Sequence, residues 1–156
     1  MRHDPPPAAG GTRLDGRRIL VTQADTFMGP ALCRVLAAAG ATVIASTDDL
    51  SDPAAPARVV QAAGVVDVLV ANLALPATST PAVDVTDGEW QATFAALVDP
   101  LPRLCRAVLP QMLARRSGKI LLMGSAAALR GQKRTTTYSA ARGAQLAYIQ
   151  TLGVEV

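Results

Sequence analysis

Four short apolar runs, each separated from the next by a stretch with helical spacing, constrain this chain more than any other feature. The runs are Arg18–Thr22, Ala41–Ala45, Val66–Ala71 and Ile120–Met123. The third is apolar almost throughout, as expected of a parallel strand covered on both faces. Between the runs the period lengthens. Leu32, Val35 and Leu36 mark a helix over Met28–Ala39 that Gly40 closes, and a short helix is expected around Ala57–Ala63. Leu101, Leu104, Cys105, Val108, Leu109, Met112 and Leu113 keep helical spacing, with a kink expected at Pro110. An Ala-rich helix carrying Tyr138 follows the last run. Strands alternating with helices predict an α/β, doubly wound parallel sheet of about four strands.

At 156 residues the chain is one domain. Residues 1–16, rich in Pro and Gly, are expected to be a disordered tail outside the fold, leaving 17–156 as the domain. The net charge of +3 is dispersed in short basic clusters, which favours solvated surface charge over nucleic-acid binding. Cys33 and Cys105 have no metal-ligand spacing, so they read as buried free thiols in a reducing compartment, with no metal site. The N-terminal residues lack an apolar signal segment. The longest uncharged stretch, Val68–Val83, is interrupted by Pro76 and Pro81 and is too short to span a bilayer. The expectation is a cytoplasmic protein with no membrane partner. No strand follows the last helix, which ends near Val156. The run Ile120–Met123 would then stand as an open sheet edge. On this reading the domain is truncated, with C-terminal strands missing, no fixed pocket around Phe27 and no efficient catalysis.

The chemistry gathers after the fourth run. Ser125 is placed at the carboxyl end of that strand, and Tyr138 and Arg142 lie four apart, on one helix face. In open α/β sheets, ligands bind outside the carboxyl ends of the strands. A phenol with a pKa of about 10 is a poor base at neutral pH. A permanent guanidinium within about 4–6 Å would favour the phenolate and make it a better one.

A dinucleotide-binding loop needs glycines after the first strand, so that backbone can approach a pyrophosphate at a helix N-terminus. Here the turn is Thr22-Gln-Ala-Asp-Thr-Phe-Met-Gly29, in which Gln23 and Phe27 stand where two of three glycines belong. Phe27 would place a ring in the diphosphate space, and Asp25 would add negative charge there. The plainer reading makes Phe27 a core aromatic.

Ser125, Tyr138-Ser-Ala-Ala-Arg142, the degenerate loop and Ala71-Asn72-Leu73-Ala74 together resemble the short-chain dehydrogenase/reductase superfamily over residues 17–156. That resemblance implies a Rossmann-like fold. Leu97 stands where the dehydrogenases keep a helical Asn. Phe27 and Arg142 resemble one branch in particular, the halohydrin dehalogenases. The resemblance implies a lyase that interconverts vicinal haloalcohols and epoxides plus halide, with Tyr138 as base, Ser125 holding the oxygen and Arg142 tuning the phenol. It implies a substrate and halide pocket at Phe27 and Asn72, and no cofactor. It also implies assembly of identical chains through the Leu101–Leu113 and Tyr138–Leu152 helices if the full domain is present. Two alternatives stay open. One is an NAD(P)-dependent oxidoreductase that binds its cofactor through Thr22, Gly29 and Asn72. The other is a truncated, non-catalytic fragment.

Overall fold

The computed structural model describes residues 13–156. The four apolar runs form β1 (Arg18–Val21), β2 (Thr42–Ala45), β3 (Val68–Ala71) and β4 (Lys119–Leu122). All pair in parallel, in the order β2-β1-β3-β4. The helices between and after them are α1 (Gly29–Ala38), α2 (Ala55–Ala63), α3 (Asp87–Leu97), α4 (Pro100–Arg115) and α5 (Thr136–Glu155). This is the Rossmann-like α/β sheet that the alternating pattern predicts.

Local chemistry sets the helix ends. The first turns of α1, α2 and α4 each hold a proline, whose missing N–H would have no intrahelical partner there. Thr86 caps α3 by accepting from the Glu89 N–H at 3.1 Å. The α4 helix runs unbroken through Pro110 and closes on Arg116, in the left-handed conformation with φ +49°.

Successive strand residues face opposite sides. Ile19, Val21 and Val70 point to the face covered by α1, where Leu32 and Leu36 meet them. Leu20, Leu69 and Ala71 point to the other face, against residues of α2, α4 and α5. Leu101, Leu104, Cys105, Val108 and Met112 of α4 are all spent in this core, so that face of α4 is not free to meet a second chain. Burial pushes the Cys105 thiol up, whereas Cys33 is only half-buried rather than buried as expected. No helix among the described residues is long and apolar enough to cross a membrane.

The expected tail needs a correction at its inner end. Residues 1–12 lie outside the described residues, but 13–16 belong to the fold. The Leu14 N–H donates to the Ala39 carbonyl at 2.9 Å, and its side chain packs on the α1 face of the sheet.

One consequence of the strand order positions the site. The chain leaves β1 for β2 on one side and then crosses to β3 on the other. The carboxyl ends of β1 and β3 therefore flank the switch point where such sheets bind ligands.

Candidate active site

The turn after β1 lacks glycine at positions 23 and 27, yet both residues adopt glycine-like backbone. Gln23 has φ +43° and Phe27 φ +53°. For a residue with a Cβ this costs about 1–2 kcal/mol, and it persists only where the surroundings impose it. Asn72, just past β3, does so: its Nδ2 donates to the carbonyls of Gln23 at 2.9 Å and Thr26 at 3.0 Å. The Gln23 Oε1 accepts from the Ala74 N–H, and the Thr22 hydroxyl donates to the Asn72 carbonyl at 3.2 Å. The backbone path of a glycine loop thus survives the loss of two glycines.

Phe27 is not a core aromatic; it is 72% exposed. Its ring loses little burial if removed, while its φ favours glycine. Phe27→Gly should therefore leave the chain as stable or up to about 1 kcal/mol more stable, strain relief being partly offset by a freer unfolded chain. The urea midpoint measures this. A fall of more than about 1 kcal/mol would mean that the ring carries packing energy.

A cavity of about 380 Å³ opens at the switch point. Thr26 and Phe27 line it from the turn after β1, Ala74, Leu75, Pro76 and Ala77 from the segment after β3, and Tyr138 and Arg142 from α5. A pocket around Phe27 is therefore present, contrary to expectation. Arg142 is 3% exposed, and its guanidinium carbon lies 5.0 Å from the centre of the Tyr138 ring, over the ring. Its Nη1 donates to the Met123 carbonyl at 3.2 Å and to Gln145 Oε1 at 2.9 Å. Gln145 Nε2 in turn donates to the Leu97 carbonyl at 2.5 Å.

Gln145 is the buried partner of Arg142 that sequence reading missed. It lies three residues after Arg142 in a run of small residues, and a buried polar side chain at that spacing was the available signal. Leu97 enters the same relay through its backbone. Arg142 Nε is buried with no partner, and no ion pair among the described residues includes Arg142.

Two expected site residues are placed elsewhere. Asn72 is fully buried behind the loop it holds and is not on the cavity wall; its Oδ1 has no partner. Ser125 accepts from the Ala127 N–H at 3.2 Å, capping a single turn of 3-10 helix. It lines a neighbouring cavity of about 490 Å³, which Arg142 also borders. The structure thus groups Phe27, Tyr138 and Arg142, with Ser125 on the wall of the adjoining space.

A tyrosine and a buried cation facing the switch point of a parallel sheet agree with what comparison with known proteins finds. Residues 47–156 match the short chain dehydrogenase family. This chain belongs to that family. It is 30% identical to the 2-keto-3-deoxy-L-fuconate dehydrogenase of Xanthomonas campestris, over 96% of this chain and 56% of that protein. The chain therefore spans little more than half the length of that relative.

Among solved structures, it superposes with a TM-score of 0.85 on a protein from Beutenbergia cavernae described as an NAD(P)-dependent gluconate 5-dehydrogenase, with NADP bound at low occupancy. That pair is 28% identical over 94% of this chain and 69% of the other. A dehalogenation enzyme superposes with a TM-score of 0.77 at 31% identity, over 84% of this chain and 63% of the other.

These findings overturn the expectation of no cofactor, because the family is one of dehydrogenases and a relative's structure holds NADP. The physical reason lies in Gln23 and Phe27, which adopt the left-handed backbone that glycine ordinarily supplies even though neither is glycine. The positive-φ backbone at Gln23 and Phe27 and the close approach at Gly29 suit a dinucleotide-binding turn, whereas the exposed Phe27 ring and Pro30, which removes one N–H from the first turn of α1, do not add to it.

Proposed function

We propose that this chain carries the acid–base site of an NAD(P)-dependent short-chain oxidoreductase that interconverts a small alcohol and its carbonyl compound. The observation that carries the reading is the cavity at the switch point, bounded by the turn after β1 and holding Tyr138 and Arg142 on one wall. Thr22, Gly29 and Asn72 shape the loop that would hold the cofactor, whose nicotinamide supplies or accepts a hydride when bound.

The remaining chemistry belongs to the chain's own residues. Tyr138 gives its phenolic proton to the carbonyl oxygen in reduction and takes the hydroxyl proton in oxidation. Arg142 holds a fixed positive charge at the ring, immobilised by Met123 and Gln145. Ser125, which accepts from the Ala127 N–H on the wall of the adjoining cavity, would have to turn its hydroxyl to hold the substrate oxygen. The apolar wall Leu75–Ala77 suits a compact substrate with an aliphatic body.

A second reading is halide displacement from a vicinal haloalcohol. The Phe27 ring in the cavity and the likeness to a solved dehalogenation enzyme favour it. There Tyr138 takes the hydroxyl proton, and the resulting alkoxide oxygen closes an epoxide as the carbon–halogen bond breaks.

The two readings predict different results on the same sample. Calorimetric titration with NADPH should saturate, and ethyl acetoacetate should be reduced with matching loss of NADPH absorbance. Halide released from propylene chlorohydrin, with no saturable NADPH binding, would replace the first reading by the second.

A further inference from the structure

Residues 74–80, of which Ala74–Ala77 line one wall of the active-site cavity, have no helix or strand of their own. Pro76 has no N–H, and one backbone bond, Thr80 N–H to the Arg134 carbonyl at 2.8 Å, ties the segment to distant main chain. Side chains do the rest. Gln23 accepts from the Ala74 N–H, Thr78 donates to Glu89 Oε1 at 2.9 Å, and Arg134 reaches Ser79. Arg134 Nε donates to Ser79 Oγ at 3.2 Å and Nη2 donates to the Ser79 carbonyl at 3.1 Å. Side chain and backbone of this one residue therefore grip Ser79 and Thr80, two consecutive residues just past the cavity-lining Ala74–Ala77.

Arg134 also departs from ordinary backbone, with φ +63°. It is exposed, so the core does not depend on it. It stands two residues before α5 begins at Thr136 and four before Tyr138. We propose that Arg134 is a positioning residue that clasps the 74–80 wall to the start of the Tyr138 helix and so fixes the width of the substrate cavity.

The argument is geometric. Leu75, Pro76 and Ala77 line the cavity from the wall segment, and Tyr138 lines it from the helix. The clasp joins the segments that carry them. Gln23 and Glu89 anchor the segment to other elements, and among the described residues only Arg134 hydrogen-bonds it to the segment bearing the proton-transfer group. Loosening the clasp should weaken substrate binding and leave the chemistry of a bound substrate largely intact. This consequence rests on the proposed function; the clasp itself does not.

The test uses the full chain, with Arg134→Ala and Arg134→Lys compared with the parent. Hydrogen exchange without substrate should accelerate about tenfold or more in both residues 74–80 and 135–141 of Arg134→Ala, as local opening becomes easier. Lysine should restore part of the protection. With ethyl acetoacetate and NADPH, KM should rise about tenfold while kcat stays within about threefold. Unchanged exchange, or acceleration confined to 74–80, overturns the clasp. Faster exchange in both segments with an unmoved KM overturns its positioning role. If the parent shows no turnover, the proposed function fails, and exchange in the two segments alone decides the clasp.

Discussion

Tyr138→Phe should lower turnover by at least about a hundredfold while the chain folds as before. A positioned general acid–base group contributes on the order of 10²–10⁴-fold, and phenylalanine has no proton to give or take. The substitution also isolates the chemistry. The Tyr138 hydroxyl makes no hydrogen bond among the described residues, whereas its ring packs on the main core and lies under the Arg142 guanidinium at 5.0 Å. Phenylalanine keeps that ring, and with it the cation–ring contact. The melting temperature should therefore move little, and kcat should carry nearly the whole effect. Activity within threefold of the parent would show that the proton moves through another group. The same outcome is expected for carbonyl reduction and for halide displacement, since both need Tyr138 to handle an oxygen-bound proton.

The sheet and its helices were legible because apolar runs and helical periods are local properties. Arg18–Val21, Thr42–Ala45, Val68–Ala71 and Lys119–Leu122 fall within a residue or two of their expected bounds. Tyr138 and Arg142 were legible as a pair because a helix fixes the geometry of residues four apart. What failed was long-range. Nothing local to Ser125 says whether its hydroxyl faces the Tyr138 cavity or caps the next turn. Asn72 reads as a cavity residue until the loop folds over it. The missing glycines suggested a loop closed to any dinucleotide. That inference took residue type for conformation, while hydrogen bonds from 46 to 51 residues away hold the path open. Gln145 was missed for a related reason, since its spacing from Arg142 was readable but its second partner, at Leu97, is 48 residues distant.

The same loop gives the largest stability effect expected in the chain. Gly29→Ala should destabilise the fold by about 1–3 kcal/mol or more, the range for forcing atoms into a packed interior, with the upper end favoured. A Cβ at position 29 would lie 2.6 Å from both the carbonyl carbon and oxygen of Ala24, and it would also meet the Gln23 carbonyl oxygen. All three atoms are backbone, so no side chain can rotate away. The turn itself would have to move. It is not free to do so, because the Gln23 and Thr26 carbonyls are held by Asn72 and the Ala24 N–H donates to Ser46 at 2.9 Å. Relief must come from breaking one of these bonds or from tilting α1 off the sheet, away from Ile19, Val21 and Val70. Either course opens the switch point as well as the core. Urea unfolding should show a lower midpoint, and NADPH titration should show weakened binding at temperatures where the variant is still folded. Phe27→Gly supplies the contrast two residues away in the same turn, where the added freedom of glycine relieves strain. If Gly29→Ala melted with the parent, the close approach of α1 to the loop would be wrong, and with it the explanation of how this turn keeps its shape without its glycines.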